Sequence, residues 1–211
     1  MKVLNLTNRD YDESITASLC HQMINLTTLS VEDVHITKLH LTAELTPKLV
    51  DLDLRNVPHD CDFNVVVPTL KRISIEFYTP DQEALPINNM LAAATNLETF
   101  VSYKLWVCGE LIFAGNNLRI IDLYRSDALR SVKIWAPNLE HLNLQACYGM
   151  SRVKILKRHP TLRKDLPKGH EPSTFTVNVV NAVMSASAIR SLEASGRCII
   201  QGHSENNMFG F

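Results

Sequence analysis

NLETFVS (96–102), NLRIIDL (117–123) and NLEHLNL (138–144) are one phrase repeated, with Leu97, Leu118 and Leu139 standing 21 residues apart. The template places apolar residues at relative positions 1, 4 and 6, as in Leu139-x-x-Leu142-x-Leu144. In an extended chain successive side chains face opposite ways, so positions 4 and 6 share the inner face and positions 3, 5 and 7 the outer one. A unit this short cannot bury its apolar side alone. Successive copies must therefore stack, and the expected architecture is a solenoid.

Outward from this stretch the same frame recurs at Met1-x-x-Leu4-x-Leu6, Leu26-x-x-Leu29-x-Val31, Leu49-x-x-Leu52-x-Leu54 and Leu70-x-x-Ile73-x-Ile75. Seven parallel strands are expected, with starts separated by 25, 23, 21, 27, 21 and 21 residues. A second rhythm lies about halfway between them. It reads Ile36-x-x-Leu39-x-Leu41, Cys108-x-x-Leu111-x-Phe113, Leu129-x-x-Val132-x-Ile134 and Met150-x-x-Val153-x-Ile155, with Asp60-x-x-Phe63-x-Val65 a looser fit. Half-repeats of this length leave no room for a helix, so short strands are expected on the return side. The longer repeats have room, and residues 10–24 and 80–95 are expected to be helical, the second starting at Asp81.

After Ile155 the pattern gives way to RHPTLRKDLPKGHEPST, rich in proline and basic residues and read as a linker. Beyond it TFTVNVV alternates like a strand, SASAIRSLEAS suits a short helix stopped by Gly196, and RCIIQ suits a final strand. The chain thus divides into a repeat region at 1–157, a linker at 158–173, a C-terminal cap or small αβ element at 174–203 and a disordered tail at 204–211.

Composition narrows the function classes. Basic and acidic side chains nearly cancel, 21 against 22, which leaves no electrostatic case for a nucleic-acid or anionic-membrane partner. The basic residues between Arg152 and Lys168 lack interleaved aromatics and read as a solvated linker. No run of about 18 apolar residues is present to cross a bilayer. The N-terminus, MKVLNLTNRD, lacks the hydrophobic stretch of a signal peptide, so an intracellular, cytoplasmic chain is expected. Cys20, Cys61, Cys108, Cys147 and Cys198 are odd in number and never paired as CxxC, which fits neither a disulfide framework nor a zinc site. The sequons at Asn5 and Asn25 fall in or beside predicted strands and are read as unmodified.

The repeat template, together with Ala136-Pro137-Asn138-Leu139 at the junction of two repeats, resembles the leucine-rich repeat region of F-box proteins of the plant type. The general repeat resemblance covers about residues 1–155, without the F-box helices themselves. It implies an α/β leucine-rich repeat solenoid, right-handed like other parallel crossovers, with a parallel sheet on its concave face and mixed short strands and helices on its convex face. It further implies that the concave sheet binds a protein or peptide, and it implies no catalytic residue or cofactor.

The outward positions are where function is expected. The first half is charged, with Glu32, Asp51, Asp53 and Glu76 around Arg55 and Arg72; these read mainly as solvated cross-strand pairs worth ~0.2–1 kcal/mol each. The second half brings Tyr103, Ile120 and Tyr124 into lateral register, with Lys104 and Arg125 nearby and His141 on the next strand. Tyrosine and arginine are enriched where interfaces concentrate their affinity, so these residues are the expected protein-binding set together with Arg55 and Arg72.

Catalytic, metal and cofactor sites are not expected. Asp51 and Asp53 share a face but have no third ligand and no shielding pocket. His35 and His40, and the run His59-Asp60-Cys61-Asp62, are too local for ligands to converge. Phosphate-loop and hydrolase motifs are missing. The leading expectation is a non-catalytic protein-interaction module. Two alternatives accompany it: the substrate-recognition part of a ubiquitin-ligase adaptor lacking its F-box, and an enzyme with a site around His170, Ser173 and His203. A further expectation is self-association through the uncovered first repeat, around Leu4 and Leu6.

Overall fold

Each of the seven phrases folds as a short strand: β1 (Val3–Thr7), β3 (Thr28–Glu32), β5 (Asp51–Arg55), β7 (Arg72–Glu76), β8 (Thr99–Tyr103), β10 (Ile120–Tyr124) and β12 (His141–Asn143). The computed structural model describes residues 1–8, 16–57, 61–76, 86–105, 109–156, 174–180, 182 and 184–201, and within them the chain is a parallel β-solenoid. Its main sheet runs β1-β3-β5-β7-β8-β10-β12 and continues with β14 (Phe175–Asn178) and β15 (Cys198–Gln201). Every described pairing in it is parallel and in register, position 4 of one repeat against position 4 of the next.

The second wall is built from β2 (Thr16–Leu19), β4 (His35–Thr42) and β6 (Asp62–Val66) as one sheet and β9 (Gly109–Ala114), β11 (Leu129–Trp135) and β13 (Arg152–Ile155) as another. Helix α1 (Ile87–Ala93) packs against both β6 and β9, and α2 (Ala186–Glu193) against β13. The core is the space between the walls. Positions 4 and 6 of the main strands from Leu29 to Leu144 are at most 1% exposed, and Leu39, Leu111, Val132 and Val153 meet them from the other side. Phe100 and Phe113 bridge the walls edge to face at 5.1 Å. Leu4 and Leu6, on the edge strand β1, are only partly buried, and Met1 and Val3 beside them are exposed.

Two stacked corners hold the register. Before β3, β5, β7, β8 and β12 the chain makes a tight turn in which the opening leucine donates to the residue three before it, as Leu49 to Thr46 at 3.1 Å and Leu139 to Ala136 at 3.2 Å. Pro47, Pro68 and Pro137 occupy the second place of these turns, which fits their fixed φ. The third place ties each coil to the one before it. Asn96 Nδ2 donates to the Pro68 carbonyl at 3.0 Å and Asn138 Nδ2 to that of Asn116 at 2.8 Å. After β3, β5, β8, β10 and β12, position 8 turns the chain with a positive φ, at Asp33, Asn56, Lys104, Arg125 and Ala146. The N–H there donates to the following coil, as Asp33 to Arg55 at 3.2 Å and Lys104 to Tyr124 at 3.1 Å.

Three sequence expectations are corrected. Thr16–Leu19, inside the first expected helix, is a strand paired with β4, because the adjacent strand supplies ready backbone partners whereas a short helix must carry its own nucleation cost. The helix expected over 80–95 is shorter: α1 begins after Pro86, and Asp81 lies outside the described residues. Position 6 of the NLETFVS phrase is a buried polar residue. Ser102, 1% exposed, is accommodated by contacts with the Asp122 carbonyl at 3.4 Å and the Ser126 hydroxyl at 3.3 Å. At the C-terminal end the anticipated strand, helix and strand are present. Ser185 caps α2 by accepting from the Ala188 N–H at 3.2 Å, and β14 and β15 extend the main sheet itself.

Candidate functional site

The outward positions of the main sheet form three rows that cross the strands. Their registers put Glu32 beside Arg55, Arg55 beside Glu76, Glu76 beside Tyr103, and Tyr103 beside Tyr124. Neighbouring strands sit ~4.8 Å apart, so side chains in one row touch directly.

In the first half that contact consists of charge pairing. Arg55 reaches Asp53 at 3.2 Å and Glu32 at 3.5 Å, Ser30 donates to Asp53 at 3.4 Å, and Arg72 stands 3.9 Å from Asp51. Asp51 and Asp53 thus face cations of their own sheet. Among the described residues no group of three or more histidine, cysteine or acidic side chains converges as a metal site would require.

In the second half the same row is aromatic. The rings of Tyr103 and Tyr124 stack with centroids 5.2 Å apart and planes 27° from parallel. The Lys104 ammonium sits 5.2 Å from the Tyr103 ring centre, within the reach of a cation–π contact. Arg125 lies beside Tyr103 and Tyr124, and the interaction with their phenol groups, Tyr103 foremost, raises the guanidinium pKa above its ordinary value. Tyr148, 52% exposed, lies at the next corner, on the same side as Arg125. Lys104 and Arg125 hold φ of 55° each, a region that costs an ordinary L-residue ~1–2 kcal/mol.

Tyr148 was not legible as part of this group. It lies outside the strand frame, at a corner held by a close backbone approach: a Cβ on Gly149 would fall 2.3 Å from the Asp127 carbonyl oxygen. The glycine beside the tyrosine was the available signal.

Ile120 and His141 are not in this group, which corrects the expected lateral register of Ile120 with the tyrosines. Ile120 pairs with Thr99 and His141 with Ile120, in the row at position 3. Four residues of strand separate that row from the tyrosines, about 13 Å. Between the two rows runs a polar ladder. Asp122 Oδ1 accepts from the Tyr124 N–H at 3.1 Å and from Asn143 Nδ2 at 2.9 Å, and Asn143 and Asn178 accept in turn from the backbone two residues on. Burial raises the Asp122 carboxyl above the ordinary aspartate range, against the pull of those two hydrogen bonds.

The remaining chemistry is quiet. Cys147 is buried, donates to the Leu123 carbonyl, and has its thiol pushed up to about 12 by desolvation, so it does not ionise at neutral pH. A shallow polar hollow of about 410 Å³ lies at the turns before β10 and β12, lined by Asn116, Asn117 and Asn138 and by the ion-paired Arg119 and Glu140 together with Glu98. His170, Ser173 and His203, the residues of the enzyme alternative, lie outside the described residues, as do Cys108, His59 and Asp60. No helix among the described residues is long and apolar enough to cross a membrane. Comparison of the chain with protein-family models, with curated proteins and with solved structures finds no match.

Proposed function

We propose that this chain is a non-catalytic interaction protein of the leucine-rich repeat type that binds a protein or peptide on the outward face of its main sheet, anchored by Tyr103, Tyr124, Lys104 and Arg125. The observation that carries this reading is the stacked tyrosine pair beside two cations on the outward face. Rigid aromatic plates and guanidinium forks lose little conformational freedom on contact, which is why interfaces draw their affinity from them. The first half supports the contrast: its charges are satisfied by one another, so a partner must break existing pairs to use them. Support for the leucine-rich type is the spacing of the inner positions and the turn that recurs before five of the main strands, of which Ala136-Pro137-Asn138-Leu139 is the clearest instance. That turn also supports the adaptor reading, in which the bound protein is a ubiquitination substrate.

The test is affinity capture from native lysate with the wild type, with Tyr103→Ala/Tyr124→Ala and with Asp51→Ala/Asp53→Ala. Partners held by the wild type and the aspartate variant and lost by the tyrosine variant are the expected outcome. Partners retained by all three proteins would refute the assignment of this face. Accumulation of captured proteins when the proteasome is inhibited would separate the adaptor from a plain scaffold.

A further inference from the structure

The two end strands of the main sheet are built like its interior. β1 reads Val3-Leu4-Asn5-Leu6-Thr7 and β15 reads Cys198-Ile199-Ile200-Gln201, and neither carries a charge, a proline or a bulge, the devices that keep edge strands from pairing. Within the sheet every junction uses one alternation of bonds. An even-position N–H donates to the odd-position carbonyl one lower in the next coil, as Leu144 to Asn178 at 2.8 Å and Asn8 to Glu32 at 3.1 Å. An odd-position N–H returns to the even-position carbonyl one lower in the coil before, as Thr176 to Glu140 at 2.8 Å and Thr28 to Lys2 at 3.2 Å. Among the described residues this alternation leaves β15 with the backbone groups of Cys198 and Ile200 on its open edge, and β1 with those of Val3 and Asn5. They are the two halves of one junction.

We infer that a second copy of this chain joins them: β15 of one molecule pairs in parallel and in register with β1 of the next. The side chains match as well as the backbones. The register aligns Ile199 with Thr176 and His141 at position 3, and Ile200 with Val177 and Leu142 at position 4. Carried across the junction, it sets Ile199, 58% exposed, beside Val3, 51% exposed, in a row of β-branched residues with Thr176 and Thr28 on either side. It also sets the partly buried Ile200 against the partly buried Leu4, and Gln201 against Asn5. On the second wall the last coil carries α2 and the first carries β2. A helix between two strands is a junction that this wall already makes, since α1 packs against both β6 and β9; α2, packed against β13, would stand in the same way before β2 of the next copy. Pairing β1 with β1 about a two-fold axis does not substitute for this contact. It either runs the strands antiparallel or turns the inner face of one copy to the outer side of the other, and neither continues the coil. The contact is therefore heterologous, and copies add end to end in an open series. The outward face with Tyr103 and Tyr124 stays uncovered, so this assembly is independent of the interaction reading above.

The experiment is analytical ultracentrifugation of the full chain across micromolar concentrations, run for the wild type, for Val3→Lys, for Ile199→Lys and for an equimolar mixture of the two variants, beside thermal melts. The wild type is expected to form oligomers whose size rises with concentration. Each variant loses one half of the junction and should be monomeric. The mixture is decisive, because Val3→Lys keeps the β15 edge and Ile199→Lys keeps the β1 edge: together they should form a one-to-one dimer and nothing larger. Both lysines replace exposed side chains, so the variants should melt cooperatively. Asn5→Lys and Gln201→Lys, at the next exposed pair, repeat the test should either of the first two variants fail to fold. A wild type that stays monomeric leaves these edges to some other chain and overturns the inference. So does a discrete dimer that survives one of the single variants, which marks a two-fold contact, or a mixture that sediments as the sum of its monomers.

Discussion

The strands β3, β5 and β7 and the strands β8, β10 and β12 have one backbone design and two surface chemistries. Their inner positions are interchangeable aliphatic and aromatic residues, all buried between the walls apart from the accommodated Ser102. Their outer positions diverge. The first group closes its charges on itself through Arg55, Asp53 and Glu32, and turns its corners with Asp33 and Asn56. The second stacks Tyr103 on Tyr124 and turns its corners with Lys104, Arg125 and Ala146. Inward positions answer to packing, whereas outward ones are free to vary.

The largest expected effect tests the shared design. Leu142, 1% exposed, and His141, exposed, are adjacent on β12, and Leu142→Asp should unfold the neighbouring coils whereas His141→Asp should be tolerated. An unpaired buried carboxylate costs several kcal/mol against a total stability of ~5–15 kcal/mol. Equal melting temperatures for the two variants would break the inward–outward frame on which the comparison stands.

Next comes binding. Once a partner is in hand, calorimetry should show Tyr124→Ala losing ~2 kcal/mol of affinity and Asp53→Ala no more than ~1 kcal/mol. The reverse ranking would move the site into the charged half.

The corners sharpen the contrast further. Asn56→Ala should lose about 1 kcal/mol of stability, since it removes the hydrogen bond to Asp33 and leaves an ordinary residue at φ of 54°. Ala146→Gly should gain up to about 1 kcal/mol, because glycine enters the same region without strain. Denaturant titration in which both changes destabilise would show that the corners differ in more than their residue type.

The smallest effect is one of pH. Because burial raises the Asp122 carboxyl, the folded chain keeps a proton over the interval between the ordinary aspartate pKa and the raised one, and the unfolded chain does not. Stability therefore falls as pH rises through that interval. Asp122→Asn keeps the acceptor for Tyr124 and Asn143, so it should be more stable than wild type at neutral pH and no more stable below the ordinary aspartate pKa. A constant difference across the range would mean that Asp122 does not titrate as its burial implies.

Much of this was legible in the residue order. Leucines spaced 21 to 27 apart, with a fixed pattern of inner and outer positions, determined the strands, their parallel stacking and the face each side chain takes. They did so because alternation along a strand is strict and a short apolar unit has no alternative to stacking. The tyrosines were identifiable as outward residues for the same reason.

Other features depended on which coil lies against which. Residues 16–19 became a strand because β4 offered it a ladder, and β14 and β15 joined the main sheet across a long interruption of the repeat. Ile120 was separated from Tyr124 by its register with Thr99. Ser102 could stay in the core because Ser126, 24 residues later, met its hydroxyl. The left-handed corners at Lys104 and Arg125 carry no mark in their own residue types. Local sequence specifies the direction of a side chain, but pairing between coils is settled by contacts twenty or more residues apart, and those exist only once the solenoid has closed on itself.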